Sequence, residues 1–341
     1  MAESEVAIIG GGAWGTALSV SLGRRGRAVR LWMHEDDLVT RMLDRRDNPA
    51  YLPGVRIPDT VVPSSDLSAV LDGAEVVLCV VPSLHARGVY RRMAPSLAAD
   101  AALIVATKGI EEDSLELPLE VAANELGGTG RLAVLSGPSF AREVARGRPT
   151  AVVVAALDPA LAARLQRTIS SRELRVYTNQ DPLGVQVAGA LKNVMAIAVG
   201  IADSLGLGTN ARAALITRGL AEMSRLVLAL GGASSTTAGL AGLGDLVLTC
   251  TGELSRNLRV GRRLGRGERL QDILARSRSV AEGVRTTVAV RALAGRACVE
   301  MPIVEEVHRI LHEDGRPQEG LDRLLSRPLT SEEGSVKTRG A

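Results

Sequence analysis

At 341 residues the chain is long enough for two domains and a sizeable core. Its 46% hydrophobic and 23% charged content is ordinary for a globular protein, and with only 2% aromatics the core must be built from Ala, Val, Leu and Ile. The net charge of +3 is small and no basic block with interleaved aromatics occurs, which argues against nucleic acid as a partner and leaves anionic small molecules open.

The first residues are acidic and run straight into a strand, so no signal peptide is expected. No apolar run approaches the roughly 18 residues of a membrane-spanning helix. Cys79, Cys250 and Cys298 are odd in number and never spaced Cys-x-x-Cys. That favours free thiols in a reducing cytoplasm over a disulfide or zinc framework.

Residues 6–9 form a short β-branched strand that leads into Gly10-Gly-Gly12-Ala-Trp-Gly15-Thr-Ala. Gly10, Gly12 and Gly15 have the G-x-G-x-x-G spacing: a tight turn, a close backbone approach to a pyrophosphate, and a close helix–strand contact. The helix that follows offers free N–H donors and a favourable dipole to the phosphates. The next strand spans residues 28–32, and Met33, His34, Glu35 and Asp36 follow it where a ribose is normally read. An acidic residue there binds the ribose diol of NAD, whereas a basic one accommodates the 2′-phosphate of NADP. Here both kinds occur, and the choice stays open.

Further apolar strands occupy residues 75–81, 102–107, 132–135 and 150–155, the continuous runs expected of parallel strands covered on both faces. Ligands bind at the carboxyl ends of such strands, so Pro82, Lys108, Gly137 and Ser139 point towards one crevice. The expected fold is therefore α/β, with an N-terminal Rossmann-like, doubly wound and mostly parallel sheet over residues 1–181. An all-helical substrate domain is expected over 182–331, and a polar tail over 332–341.

Helical periodicity begins near residue 182. Residues 183–202 are almost wholly apolar and small, broken only by Gln186, Lys192 and Asn193, as in a helix buried all round. Residues 210–230, 270–294 and 301–311 continue the pattern. His308 and His312 lie at i, i+4, but no carboxylate or cysteine motif stands beside them and no metal site is expected. Between the helices, Asp245 follows a Gly-rich turn. Ser255 is a good N-cap for a helix that carries Arg256 and Asn257 in its first turn. An arginine and an amide at a helix N-terminus can receive a phosphate; the same segment also reads as a surface cap with a solvated arginine.

Arginine supplies all but three of the 41 Lys+Arg residues. The lysines are Lys108, closing an apolar strand, Lys192, interrupting an apolar helix, and Lys337 in the tail. Guanidinium stays charged in proteins, whereas an ammonium can be desolvated, lose its proton and act as acid or base.

Together these motifs resemble the bacterial NAD(P)-dependent glycerol-3-phosphate dehydrogenase family. The resemblance is carried by the Gly10 turn and by Tyr51-Leu-Pro-Gly-Val55, Ala106-Thr-Lys-Gly-Ile110 and Ser136-Gly-Pro-Ser-Phe-Ala-Arg-Glu-Val144. Gly189-Ala-Leu-Lys-Asn-Val194, Asn210 to Gly219, Gly242 to Asn257, Val280-Ala-Glu-Gly-Val284 and Met301 to Glu306 extend it from residue 5 to about 331. It implies interconversion of dihydroxyacetone phosphate and sn-glycerol 3-phosphate for the phospholipid backbone, with NADP or NAD as cofactor and NADP modestly favoured. A cytoplasmic homodimer is expected.

Carried over residue by residue, the resemblance makes Lys192 the proton donor and acceptor, supported by Lys108 and Asp245. It places Lys108, Gly137, Ser139, Lys192, Asn193, Asp245, Ser255, Arg256 and Asn257 at the substrate. Gly10, Gly12, Ala13, Trp14, Gly15, His34, Pro82, Lys108, Ala141, Arg256, Val280 and Glu282 would line the cofactor. Ala13 stands where serine is frequent in the family, and Thr236-Thr237-Ala238 departs from its usual Thr-Phe pair.

Residue chemistry fits this independently. Ketone reduction needs a hydride donor, a proton donor and an anchor for the phosphate. With four histidines, none placed for it except cofactor-side His34 and His85, the acid falls to lysine. Burial and a second ammonium would lower a lysine from its usual pKa of about 10.4, and Asp245 would hold it in place. Two other readings are a related β-hydroxyacid or sugar-acid dehydrogenase and a catalytically silent NAD(P)H-binding sensor.

Overall fold

The computed structural model describes residues 5–128, 131–276, 281–329 and 331–332. The strands in chain order are β1 (Val6–Ile9), β2 (Val29–Trp32), β3 (Asp47–Asn48), β4 (Leu52–Arg56), β5 (Val61–Ser64), β6 (Val76–Cys79), β7 (Ala102–Val105), β8 (Leu132–Ser136), β9 (Thr150–Ala155) and β10 (Leu174–Asn179). Among the described residues, eight of them form one sheet in the order β10-β9-β8-β7-β6-β1-β2-β5, and β3 and β4 form a separate hairpin.

From β5 to β8 every pairing is parallel, and the strand order reverses between β1 and β6. That is the doubly wound arrangement expected, and the crevice beyond the carboxyl ends at the reversal is where such sheets take ligands. Strands β1, β6 and β7 are buried along their whole length, which explains their unbroken apolar sequences. Val6 and Ile8 pack on one face with Leu18 and Leu22, while Ala7 and Ile9 pack on the other with Tyr90 and Met93.

The apolar run 150–155 reads as another parallel strand, but β9 pairs antiparallel with β8, Ser136 opposite Val153. The connection between them carries only the five-residue helix Ala141–Ala145, so the chain returns along the edge instead of crossing a face. Three further strand segments escape a reading by apolar run. Strand β5 contains Pro63 at the sheet edge, where a missing N–H is tolerated. Strand β10 alternates buried and exposed residues at the opposite edge. The β3–β4 hairpin contains Asn48, Pro53 and Gly54 and owes its place to tertiary contacts described below.

The helical part is organised around Pro182–Ser204, begun by Asp181, whose side chain accepts the Gly184 N–H at 2.8 Å. By length and composition this helix could cross a membrane, which the search for unbroken runs missed. However, 94% of its most apolar 18-residue window lies inside the protein. The Arg256–Gly265 helix crosses it so closely that a Cβ on Gly261 would sit 2.1 Å from the Ile197 carbonyl oxygen. The helices Gly208–Ala229 and Pro302–His312 match the periodic segments at 210–230 and 301–311.

The helical periodicity read over 270–294 is carried by two helices among the described residues. One helix ends at Ala275 and another, Glu282–Arg296, begins after an extended Ala281. Val280 lies outside the described residues, as does the tail from 333 on. The three cysteines are free, with Cys79 and Cys250 buried. The His308 and His312 rings stand 5.0 Å apart, and among the described residues no group of three or more His, Cys, Asp or Glu side chains is arranged to hold a metal.

Candidate active site

Strand β1 ends at Gly10, whose φ of +117° turns the chain under the helix Ala13–Gly23. A Cβ on Gly15 would lie 1.9 Å from the Gly10 carbonyl oxygen, so helix and turn touch directly. At Gly12 a Cβ would meet nothing within 4 Å, and no side chain caps the helix. An open approach ending in unpaired N–H groups fits a dinucleotide pyrophosphate. Trp14 packs against the core beside this turn, and Ala141 opens the short helix that packs on Ala13–Gly23. Pro82 and Ser83 border the crevice at the end of β6, and Ser83 Oγ would lie 3.0 Å from a Cβ on Gly109.

Beyond the end of β2, where such folds read a ribose, His34 is exposed and its Nδ1 lies 3.1 Å from Glu35 Oε2. Tyr51 donates its hydroxyl to Glu35 Oε1 at 2.6 Å, and this bond pushes the Tyr51 pKa up to about 12. Asn48 donates from Nδ2 to the Gly11 carbonyl at 2.9 Å. Neither Tyr51 nor Asn48 stood out as a site residue in the sequence, because only folding brings their hairpin to the Gly-rich turn.

The two interior lysines meet at one carboxylate. Asp245 is 1% exposed and opens the helix Asp245–Thr251 after a widened helical turn, Leu240–Gly244. Lys192, from the core of Pro182–Ser204, donates to Asp245 Oδ1 at 2.5 Å and to Thr249 Oγ1 at 3.0 Å. Lys108, at the end of β7, donates to Oδ2 at 2.7 Å. Thr249 in turn donates to the Asp245 backbone carbonyl at 2.6 Å. Sequence reasoning passed over Thr249, although its position four residues after Asp245 on one helix was a legible sign.

Burial pulls the Lys192 pKa down to about 8; the charge on Asp245 opposes this and the charge on Lys108 assists it. Lys108 goes up, because the bond and charge of Asp245 outweigh the desolvation it suffers. Burial would raise Asp245, yet two ammonium groups hold it below the usual carboxylate range. Glu282, facing the same cluster, is raised by burial against the pull of Arg256, Lys108 and Lys192.

Next to Lys192, Asn193 accepts from Asn257 Nδ2 at 2.8 Å, and Asn257 Oδ1 accepts the Gly283 N–H at 3.1 Å. The Asn257 carboxamide thus ties three helices together. What this residue offers an anion is chiefly its backbone N–H in the first helical turn. Ser255 accepts the Leu258 N–H at 3.2 Å as the N-cap, and Arg256 stands exposed beside it. Ser139 folds back to donate to the Gly137 carbonyl at 2.9 Å. The preceding Pro138 lies 3.5 Å from where a Cβ on Gly244 would be, which brings this turn to the start of the Asp245 helix.

Residues 5–162 match the N-terminal part of NAD-dependent glycerol-3-phosphate dehydrogenase and residues 181–322 its C-terminal part. The chain is 51% identical over 335 residues to a glycerol-3-phosphate dehydrogenase (NAD(P)+) of Koribacter versatilis (strain Ellin345), covering 96% of this chain and 99% of that one. It belongs to the NAD-dependent glycerol-3-phosphate dehydrogenase family. The crystal structure of glycerol-3-phosphate dehydrogenase from Coxiella burnetii superposes with a TM-score of 0.91 at 46% identity, covering 95% of this chain and 99% of that chain. A PanE/ApbA family ketopantoate reductase from Ralstonia eutropha JMP134 reaches a TM-score of 0.60 at 18% identity over 93% of this chain and 99% of its own, a likeness of fold alone.

Proposed function

We propose that this protein reversibly reduces dihydroxyacetone phosphate to sn-glycerol 3-phosphate, the backbone of phospholipids. Residues 1–181 would hold NADPH or NADH, residues 182–331 would hold substrate, and the working form would be a cytoplasmic homodimer. The observation that carries this reading is the pair of lysines, one from each half of the chain, on the buried carboxylate of Asp245.

When bound, a reduced nicotinamide would supply the hydride needed to reduce the ketone. Lys192 supplies the proton to the oxygen that becomes the alcohol. A pKa near 8 lets it carry that proton at neutral pH and still release it readily. Asp245 and Thr249 fix its ammonium in place, and Lys108, kept charged by Asp245, stabilises negative charge developing on the oxygen. Arg256 and the N–H groups at the start of its helix suit the unreacting phosphate, whose binding energy then positions the ketone. Gly137, Ser139 and Asn193 would complete the substrate pocket. Ala13, Trp14, His34, Pro82, Ala141 and Glu282 would line the cofactor.

The test is oxidation of NADPH and NADH by the purified protein, with dihydroxyacetone phosphate and, separately, with β-keto acids. Turnover confined to the phosphorylated ketone supports the proposal. Turnover of keto acids would favour the hydroxyacid dehydrogenase reading, and cofactor binding without turnover would favour a sensor.

A further inference from the structure

The β3–β4 hairpin interrupts the regular alternation of the N-terminal half, and it is anchored on the cofactor loop itself. Asn48 is fully buried, with Nδ2 donating to the Gly11 carbonyl and to Thr16 Oγ1, each at 2.9 Å. Its Oδ1 accepts the Tyr51 N–H at 3.2 Å, which sets the start of the next strand. The Tyr51 ring is thereby held over the tip of β2, where its hydroxyl meets Glu35 at 2.6 Å.

Glu35 comes three residues after the end of β2, the region where an acidic side chain reads the ribose diol and repels a 2′-phosphate. One of its oxygens is taken by Tyr51 and the other faces His34 at 3.1 Å. Asp36 and Asp37 add negative charge just beyond it, and the nearby Arg41 guanidinium is already paired with Asp47 at 3.0 Å. A freely moving Glu35 would make this corner hostile to a phosphate. We propose that Tyr51 sets the balance between NADPH and NADH, by pinning the Glu35 carboxylate and drawing off part of its charge, so that a 2′-phosphate is tolerated beside it. This rests on the cofactor reading given above. The Tyr51 hydroxyl is well suited to the task because it keeps its proton throughout the neutral range.

The measurement is the dissociation constant of NADPH and of NADH, by calorimetry without substrate, for the wild type, Tyr51→Phe, Glu35→Gln and the double variant. Removing the hydroxyl should lower the NADPH/NADH affinity ratio about 3- to 10-fold, the range for one charge acting over a few ångströms of partly exposed surface. Glu35→Gln should raise the ratio, and Tyr51→Phe should have no further effect in the Glu35→Gln background. In the cofactor-free protein, ultraviolet titration of Tyr51 should move to lower pH in Glu35→Gln. Equal loss for both cofactors in Tyr51→Phe, a Tyr51 effect that persists without the Glu35 charge, or an unmoved titration would each overturn the proposal. Wild-type turnover of dihydroxyacetone phosphate, measured alongside, reports separately on the enzymatic reading.

Discussion

The two halves of this site are built from different materials. On the sheet side, the functional groups are largely backbone. Gly10, Gly109 and Gly137 sit just beyond the ends of β1, β7 and β8 with φ of +117°, +124° and +124°, a region nearly closed to side chains. They expose peptide groups at the crevice while costing little desolvation. On the helical side the cluster around Asp245 is made of side chains, and they are buried: Lys192 is 7% exposed and Asp245 1%. Turns of backbone suit a cofactor that must bind and leave intact. A desolvated ammonium suits a proton that must change hands. Lys108, at the end of a strand, reaches the buried cluster and so couples the two.

The comparison is broken hardest by Lys192→Arg. Charge is retained, but a guanidinium does not release its proton at neutral pH, so kcat should fall by about 10²–10⁴. Cofactor affinity, proposed above to reside mainly on the sheet side, should hardly change. A near-normal kcat would remove lysine from proton transfer. The wild type should show the matching pH dependence. If Lys192 is the acid, ketone reduction needs it protonated, so kcat/KM should decline as pH rises through about 8, and alcohol oxidation should gain over the same interval. A flat profile across that range would point to another acid.

Arg256→Ala tests whether the helical side also holds the phosphate. Loss of one charge-assisted contact at a partly exposed helix start should cost about 2 kcal/mol, or roughly 30-fold in kcat/KM for dihydroxyacetone phosphate. Unphosphorylated dihydroxyacetone has nothing for Arg256 to hold and should lose far less. Equal proportional losses would assign Arg256 to the cofactor or the fold.

Asn257→Ala separates binding from architecture in the same helix turn. It strands the Asn193 side chain and the Gly283 N–H, so stability measured by denaturant should drop by about 1–3 kcal/mol. A loss of phosphate affinity with stability intact would show instead that the carboxamide turns towards the substrate.

The smallest effect expected is that of His34→Asp. A further carboxylate at the exposed ribose corner should weaken NADPH by about 3-fold relative to NADH. An unchanged ratio of kcat/KM would mean that the 2′-position is read away from His34.

Much of the fold was legible because it is written in short-range patterns. The Gly10–Gly12–Gly15 spacing, the unbroken apolar runs of β1, β6 and β7, and the Ser255 cap depend on residues within a turn or a strand of each other. The scarcity of lysine picked out Lys108 and Lys192 without any coordinates, because composition alone separates them from the many arginines. The family motifs did the same for Asp245. What tertiary structure decided was pairing. Lys108 and Asp245 are 137 positions apart, and nothing local says that Lys108 and Lys192 share the Asp245 carboxylate. The antiparallel turn-back of β9, the helix start at Glu282, and the engagement of Asn257 by Asn193 likewise follow from where other elements already lie. So does the hairpin that brings Asn48 to Gly11 and Tyr51 to Glu35. Periodicity records which face of an element is buried; it carries no record of which distant polar group will be waiting there, because that partner is chosen by packing the whole chain at once.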